Sequence, residues 1–357
     1  SSVAAFRACF GDEPTFDGEF SNTGRLAAGA NYRIEIAGRG GAAGVPADAV
    51  GVVANLTVIS PDAPGFATVH PCTEGEPTTS TVNYLATEVL ANNVIVPLDD
   101  GDLCVFTLAG ADFALDINGY VTADSPQVGI TPTRFADTRE TGSPLPAGGV
   151  LTVDITGSDL VPDDAQAAIV NITAVTPAAD GYLTAYPCDA AEVPHASTVN
   201  YLAGQYVPNG AVVDLSADGE LCVFTLSEVD VLVDVTGYVP AGVDTITPLT
   251  PARLFDSRPG EELVDGIAAG PRLTAGRWVE VQVEGRHNIP ATATAAFFNV
   301  AVIVPDGPGF VALAPNGGGD APSSSNLNHA TGGVIRANNA VTQLSDDGTV
   351  WIYTLSG

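Results

Sequence analysis

The stretch GVVANLTVISPDAPGFATVHPC, residues 51–72, returns as AAIVNITAVTPAADGYLTAYPC at 167–188 and as AAFFNVAVIVPDGPGFVALAPN at 295–316. Each copy is an apolar β-prone run, a turn cluster (SPDAPG, TPAADG or VPDGPG) and a second short β-prone run, Ala67–Val69, Leu183–Tyr186 or Val311–Leu313. That is a strand, a turn and a strand. Other phrases follow in a fixed order. STVNYLA stands at 80–86 and again at 197–203, with a drifted copy, SNLNHAT, at 325–331. DDGDLCVFTL (99–108), ADGELCVFTL (217–226) and DDGTVWIYTL (346–355) each place an Asp-Gly hairpin signal before an apolar run. FALDINGYV (113–121) matches VLVDVTGYV (231–239), and TPTRFADTRETG (131–142) matches TPARLFDSRPGE (250–261). A period of about 120 residues is far too long for a solenoid coil and right for a whole domain.

The reading is therefore all-β: three tandem β-sandwich domains of jelly-roll-like type, over residues 1–122, 123–240 and 241–357, the third lacking its last strand. About eight or nine short strands are expected per repeat, and no segment keeps a 3.6-residue apolar period over three turns. The linkers near 122–131 and 240–248 are short, which predicts neighbouring domains packed in a semi-rigid row.

Composition narrows the function classes. The 357 residues are 45% hydrophobic, enough for real cores, and rich in Gly (39) and Pro (26). Net charge is −30, from 42 acidic and 12 basic residues, and every basic residue is Arg. Such a surface repels nucleic acid and anionic membrane. Without Lys, no Schiff-base or P-loop chemistry is available. No apolar run reaches the length of a membrane helix, so membrane insertion is not expected. The chain does not begin with Met and holds none, and is read as a mature product whose targeting segment has been removed.

Cys72 and Cys104 occupy the same places as Cys188 and Cys222, whereas repeat 3 has Asn316 and Trp351 there. Loss of both members together is the signature of a disulfide, so Cys72–Cys104 and Cys188–Cys222 bridges are expected, and with them an extracellular or cell-surface location. Cys9 is left over, either buried or paired between chains.

The ordered set PxRxxD[ST]R, NxT, GYLTxYPC, STVNY, LCVFT and VDVTGY resembles a repeat common in secreted and cell-surface proteins of high-GC Gram-positive bacteria. There it is appended to hydrolases or strung in tandem without a catalytic domain. The resemblance covers nearly the whole chain and is fullest in repeat 2. Repeat 1 departs at its start, where FRACFGDEP stands, and repeat 3 stops at Ser356-Gly357 without a VDVTGY strand. It implies an extracellular module and no particular activity.

No HExxH, GxSxG or GxxxxGK[ST] motif is present, and the four histidines share no equivalent position. The chain is read as not an enzyme and as needing no cofactor or metal. Weak surface calcium at Asp99–Asp102 or Asp346-Asp347 is a second reading of sequences better explained as hairpin turns. Asp116 and Asp234 lie inside apolar strands and need partners. Arg134 and Arg253, which open the next repeats, are the expected ones, as a joint between consecutive modules. Asp137–Arg139 and Asp256–Arg258 are expected to close local turns. Asn83 and Asn200, with Tyr84 and Tyr201, are candidates for sugar binding against a structural role. The recurrent Asn55, Asn171 and Asn299, and Asn92, Asn209 and Asn338, are read as satisfying stray backbone groups. Asn55 and Asn171 also head formal glycosylation sequons.

These features predict a non-catalytic extracellular structural or adhesive protein, a filament subunit joined by strand exchange. Self-association is expected through the edge of repeat 3 (Trp351 to Gly357), with the N-terminal stretch SSVAAFRACF as donor strand; the competing reading of the missing strand is that residue 357 is a processing end of a longer protein. The alternative is a carbohydrate-binding array with glycans as partners.

Overall fold

A computed structural model describes residues 24–39, 44–73, 79–123, 128–242, 249, 251–259, 261, 263, 265–266, 270–322, 325–329 and 331–357. SSVAAFRACF and Cys9 lie outside them. Among the described residues the chain is almost entirely antiparallel β-structure, with one helical turn, α1 (Thr138–Thr141).

Repeat 2 shows the complete unit. Its strands are β8 (Val128–Asp137), β9 (Val150–Asp154), β10 (Ala165–Val175), β11 (Gly181–Pro187), β12 (Val199–Tyr201), β13 (Tyr206–Asp214), β14 (Glu220–Thr225) and β15 (Asp230–Pro240). They form two four-stranded sheets, ordered β13-β10-β15-β8 and β12-β11-β14-β9. The first strand thus pairs with the eighth and the second with the seventh, which is the winding of a jelly roll. Val153, Ile155, Ile172, Leu183, Tyr201, Leu221 and Val233 fill the space between the sheets. Burial of both faces explains why β10 and β15 read as near-continuous apolar runs rather than as alternating ones.

Repeat 1 follows the same plan. β1 (Ala30–Glu35), β6 (Asp102–Thr107), β3 (Gly65–His70) and β4 (Val82–Tyr84) make one sheet in that order. β5 (Val89–Pro97), β2 (Gly51–Ile59) and β7 (Asp112–Val121) make the other. The strand that would flank β7, by analogy with β8, falls outside the described residues.

In repeat 3, β16 (Arg277–Gln282), β21 (Thr349–Thr354), β18 (Gly309–Ala314) and β19 (Leu327–His329) form the outer sheet. The inner sheet holds two strands among the described residues, β17 (Ala295–Ile303) and β20 (Ile335–Gln343). Among the described residues no counterpart of β7 or β15 stands beside β17. Residues 251–257, the counterpart of β8, form no ladder with any described strand. Packing follows suit. β2 is buried along nearly its whole length, whereas β17 alternates between exposed and half-buried. The core of repeat 3 breaks into two small clusters, around Val283 and around Phe310.

Cys72–Cys104 and Cys188–Cys222 are bridged. Each bridge fastens neighbouring strands, β3 to β6 and β11 to β14. Repeat 3 uses a different fastening at this point. The indole of Trp351 lies on the backbone of Gly317, where a Cβ would fall 2.2 Å from a ring carbon. Only glycine admits that approach.

The three repeats do not form a row. Contacts run from repeat 1 to repeat 2, from 2 to 3 and from 3 back to 1. Ile95, Val212 and Val341, which are equivalent in the repeats, meet with Val53, Ile169 and Val121 in one shared apolar cluster. Glu88 of repeat 1 also pairs with Arg336 of repeat 3 at 3.0 Å. Short linkers constrain only the contacts they join, and the return contact between the first and third repeats left no trace in them.

Candidate functional site

The ring is closed by asparagines. Asn92 on β5 donates from Nδ2 to the carbonyl of Thr81 (2.7 Å) and to Oδ1 of Asn171 in repeat 2 (2.9 Å), and its Oδ1 accepts from the Gly210 amide (3.0 Å). Asn209 on β13 repeats this one module on. It donates to the Thr198 carbonyl (2.6 Å) and to Asn299 Oδ1 (2.7 Å) and accepts from the Asn339 amide (2.7 Å). Asn338 on β20 completes the circle, donating to the Asn326 carbonyl and to Asn55 Oδ1 (2.9 Å) and accepting from the Asn93 amide (3.0 Å).

The acceptor asparagines turn their own amides to the preceding phrase. Asn171 donates to the Ser80 carbonyl (2.5 Å), Asn299 to the Ser197 carbonyl, and Asn55 to the Ser325 carbonyl (2.9 Å). Asn55, Asn92, Asn171, Asn209 and Asn338 are buried, where one planar group must both donate and accept, while Asn299 is exposed. The satisfying role expected for these asparagines is present, but it spans repeats. The clue in the sequence was that both sets recur even in the drifted third copy. The Glu88–Arg336 pair occurs once, so no repeat pattern marks it.

STVNYLA is thus the joint. Its Ser and Thr carbonyls receive the asparagine amides, and Asn83, Asn200 and Asn328 orient the Ser hydroxyls at 2.8, 2.9 and 2.8 Å. The tyrosines point inward. Tyr84 is 2% and Tyr201 0% exposed. Their hydroxyls bond Thr107 Oγ1 (2.8 Å) and Thr225 Oγ1 (2.9 Å) inside the sandwich. The sugar-binding reading of Asn83, Tyr84, Asn200 and Tyr201 is corrected accordingly, since no ring face is open for stacking. Asn55 and Asn171 are buried with their amides engaged, so the sequons present no free acceptor nitrogen.

The Asp–Arg joint also needs correction. Arg134 pairs with Asp234 of its own repeat, Nε to Oδ1 at 2.8 Å and Nη2 to Oδ2 at 3.2 Å, across adjacent strands β8 and β15. It does not reach Asp116, nor does Arg253 reach Asp234. The repeats are wound so that first and last strands of one module lie together, which sequence proximity across the linker concealed. Burial raises Asp234 above the usual carboxylate range, although the two bonds from Arg134 pull the other way. Asp137 is held low chiefly by the Arg139 side chain, and its carboxylate caps α1. Asp256 is buried, which pushes its carboxyl up, but Arg258 more than offsets this and the net shift is downward.

Asp116, the counterpart of Asp234, has no cation against it among the described residues, and burial pushes it up to about 6. The sign follows directly. A carboxyl whose folded value is raised stabilises the fold fully below about pH 4, and that stability is lost as pH rises through about 6. Asp116→Asn is therefore expected to exceed the wild type in stability by about 3 kcal/mol above pH 6 and by little near pH 4. Denaturant titrations at both pH values check this, and an equal difference at both contradicts it.

No known family profile matches the chain. No curated protein matches it either. Among solved structures, a chain from the atomic structure of Sulfolobus Turreted Icosahedral Virus aligns at 12% identity over 98% of this chain and 94% of that one, with a TM-score of 0.21. That score is too low to argue from.

The remaining expected sites are quickly placed. Asp99–Asp102 closes as a tight turn with Asp100 and Gly101 at positive φ (51° and 90°), and Asp102 bonds Arg33. Among the described residues no three His, Cys, Asp or Glu side chains gather as a metal site. The segment Trp351 to Gly357 is not the open edge, because β21 is paired on both sides, with β16 and β18. Among the described residues of repeat 3, β17 is the inner-sheet strand with a partner on one side only.

Proposed function

We propose that this is a non-catalytic structural protein of the cell surface or extracellular space, whose molecules join by strand addition at the β17 edge. The observation that carries the reading is that, among the described residues, β17 has a partner strand on one side only, while its counterparts β2 and β10 are paired on both sides. An unpaired edge with Phe297 37% exposed is a template for another strand. A strand supplied by a neighbour makes a head-to-tail contact, which propagates as a filament rather than closing. Two disulfides fit an oxidising compartment. The side chains repeated in all three modules are engaged in holding the fold, which favours scaffold over chemistry.

Ala301 sits exposed on β17, and Ala301→Lys places a charge on that edge. The variant is expected to remain monomeric under electron microscopy and sizing at concentrations where the wild type forms ordered polymers, with its melting temperature little changed. A wild type that stays monomeric at micromolar concentration, or polymers indifferent to the lysine, would sink the reading. Glycan binding by the monomer would instead favour the carbohydrate-binding array.

A further inference from the structure

The edge of repeat 3 that has no partner strand among the described residues comes with a defined chemical specificity. In repeat 2 the strand that fills the equivalent place is β15, with β10 on one side and β8 on the other. Asn171 faces Asp234, and Asp234 faces Arg134. Arg134 divides its guanidinium between two acids. Nη1 lies 3.5 Å from Asp137, three residues on, while Nε and Nη2 hold Asp234. Arg253 repeats half of this arrangement. Its Nη1 lies 3.3 Å from Asp256, again three residues on, and 3.6 Å from Glu261. Among the described residues its Nε and Nη2 have no partner, and the side chain is only 21% exposed. Partly buried guanidinium donors without an acceptor are costly, and a carboxylate accepts both in one bidentate contact.

The size of the place is set as well. Gly237 of β15 faces Ile169, and a Cβ there would fall 2.6 Å from the Val128 carbonyl and 3.1 Å from Ile169 Cδ1. In repeat 3 the still larger Phe297 stands where Ile169 does.

We propose that the edge between β17 and residues 251–257 takes an extended segment of another polypeptide chain, antiparallel to β17, that carries a carboxylate opposite Asn299 and against Arg253, and a glycine opposite Phe297. Apolar residues fall opposite Phe298 and Val300. The inference rests on the reading of β17 as a strand-accepting edge and adds what that edge selects. Within this chain the pattern occurs in DFALDINGYV and DVLVDVTGYV, both already paired in their own repeats. Residues 1–10, SSVAAFRACF, align with the opening strand through Arg7 and hold no carboxylate, so they serve as a comparison ligand.

The probe is a labelled synthetic peptide of residues 230–240, DVLVDVTGYVP, titrated into the monomeric 357-residue protein and followed by fluorescence anisotropy. The expected result is saturable binding that weakens at least tenfold when the peptide carries D234N, with the peptide of residues 1–10 weaker still. R253Q in the protein is expected to erase the difference between the Asp and Asn peptides. The inference is overturned if the Asp peptide does not bind, if the Asn peptide binds equally well, or if the peptide of residues 1–10 binds as tightly. The two readings fail separately. Acid-dependent peptide binding by a protein that never polymerises removes the filament and leaves this inference. Polymers blocked by Ala301→Lys, with no preference between the Asp and Asn peptides, do the reverse.

Discussion

Replacing Asn92 by Ala lowers the unfolding free energy by about 3–5 kcal/mol, a large part of the 5–15 kcal/mol usual for a whole domain. The side chain is 1% exposed and makes three hydrogen bonds, to the Thr81 carbonyl, to Asn171 Oδ1 and from the Gly210 amide. Alanine leaves all three groups facing a dry cavity, and each orphan costs about 1–3 kcal/mol. Asn92→Asp is expected to be worse. It retains an acceptor for the Gly210 amide but sets a charge against two other acceptors, the Thr81 carbonyl and Asn171 Oδ1. Equilibrium denaturation of the two variants measures both effects. A loss below about 1 kcal/mol for Asn92→Ala, or an Asp variant as stable as the wild type, would remove the asparagine from its place in the ring.

The second large effect is expected at Arg134. Its removal leaves Asp234, with a side chain 1% exposed, as an unpaired charge inside repeat 2. Breaking a buried pair from one side costs about 3–5 kcal/mol, whereas replacing both partners costs much less. Arg134→Ala is thus expected to be severely destabilising at neutral pH, and Arg134→Ala with Asp234→Asn to recover most of the loss. The sign of the pH dependence is fixed by the same geometry. Without the guanidinium, burial alone acts on Asp234 and raises its carboxyl further, so the single variant regains stability as pH falls and the double variant does not. A single variant equal to the wild type at pH 7, or one whose deficit is unchanged at acid pH, contradicts the pairing.

The sandwich architecture was legible in the sequence because its causes are local. The turn clusters, the Asp-Gly dipeptides and the apolar runs each report on their own neighbourhood, and threefold repetition reinforced every one. The cysteines were legible for a related reason: Asn316 and Trp351 replace both members of a pair at once. What the sequence hid was relative placement. Asp116 and Arg134 are near in the chain and look like partners. The jelly-roll winding nevertheless lays β8 against β15, a hundred residues later, so Arg134 meets Asp234. STVNYLA was legible as a recurring phrase, but only the structure brought the Ser80 carbonyl to Asn171 and the Asn55 amide to Ser325. Tyr84 and Tyr201 misled because an aromatic beside an Asn reads alike in a sugar site and in a core. Their hydroxyls satisfy Thr107 and Thr225 inside the sandwich, which a linear pattern does not encode. The sequence pointed to Trp351–Gly357 as the edge, but β21 is a central strand, and the edge left unpaired among the described residues is that of β17.

Closure of the three repeats into a ring is the claim on which the joint, the placement of the edge and the Asn92 effect all depend. Small-angle X-ray scattering on the monomer peak of a sizing column tests it most directly. A closed arrangement of 357 residues predicts a radius of gyration of about 20 Å, that of a single compact body. A value well above this, with the elongated distance distribution of three bodies in line, would contradict the ring.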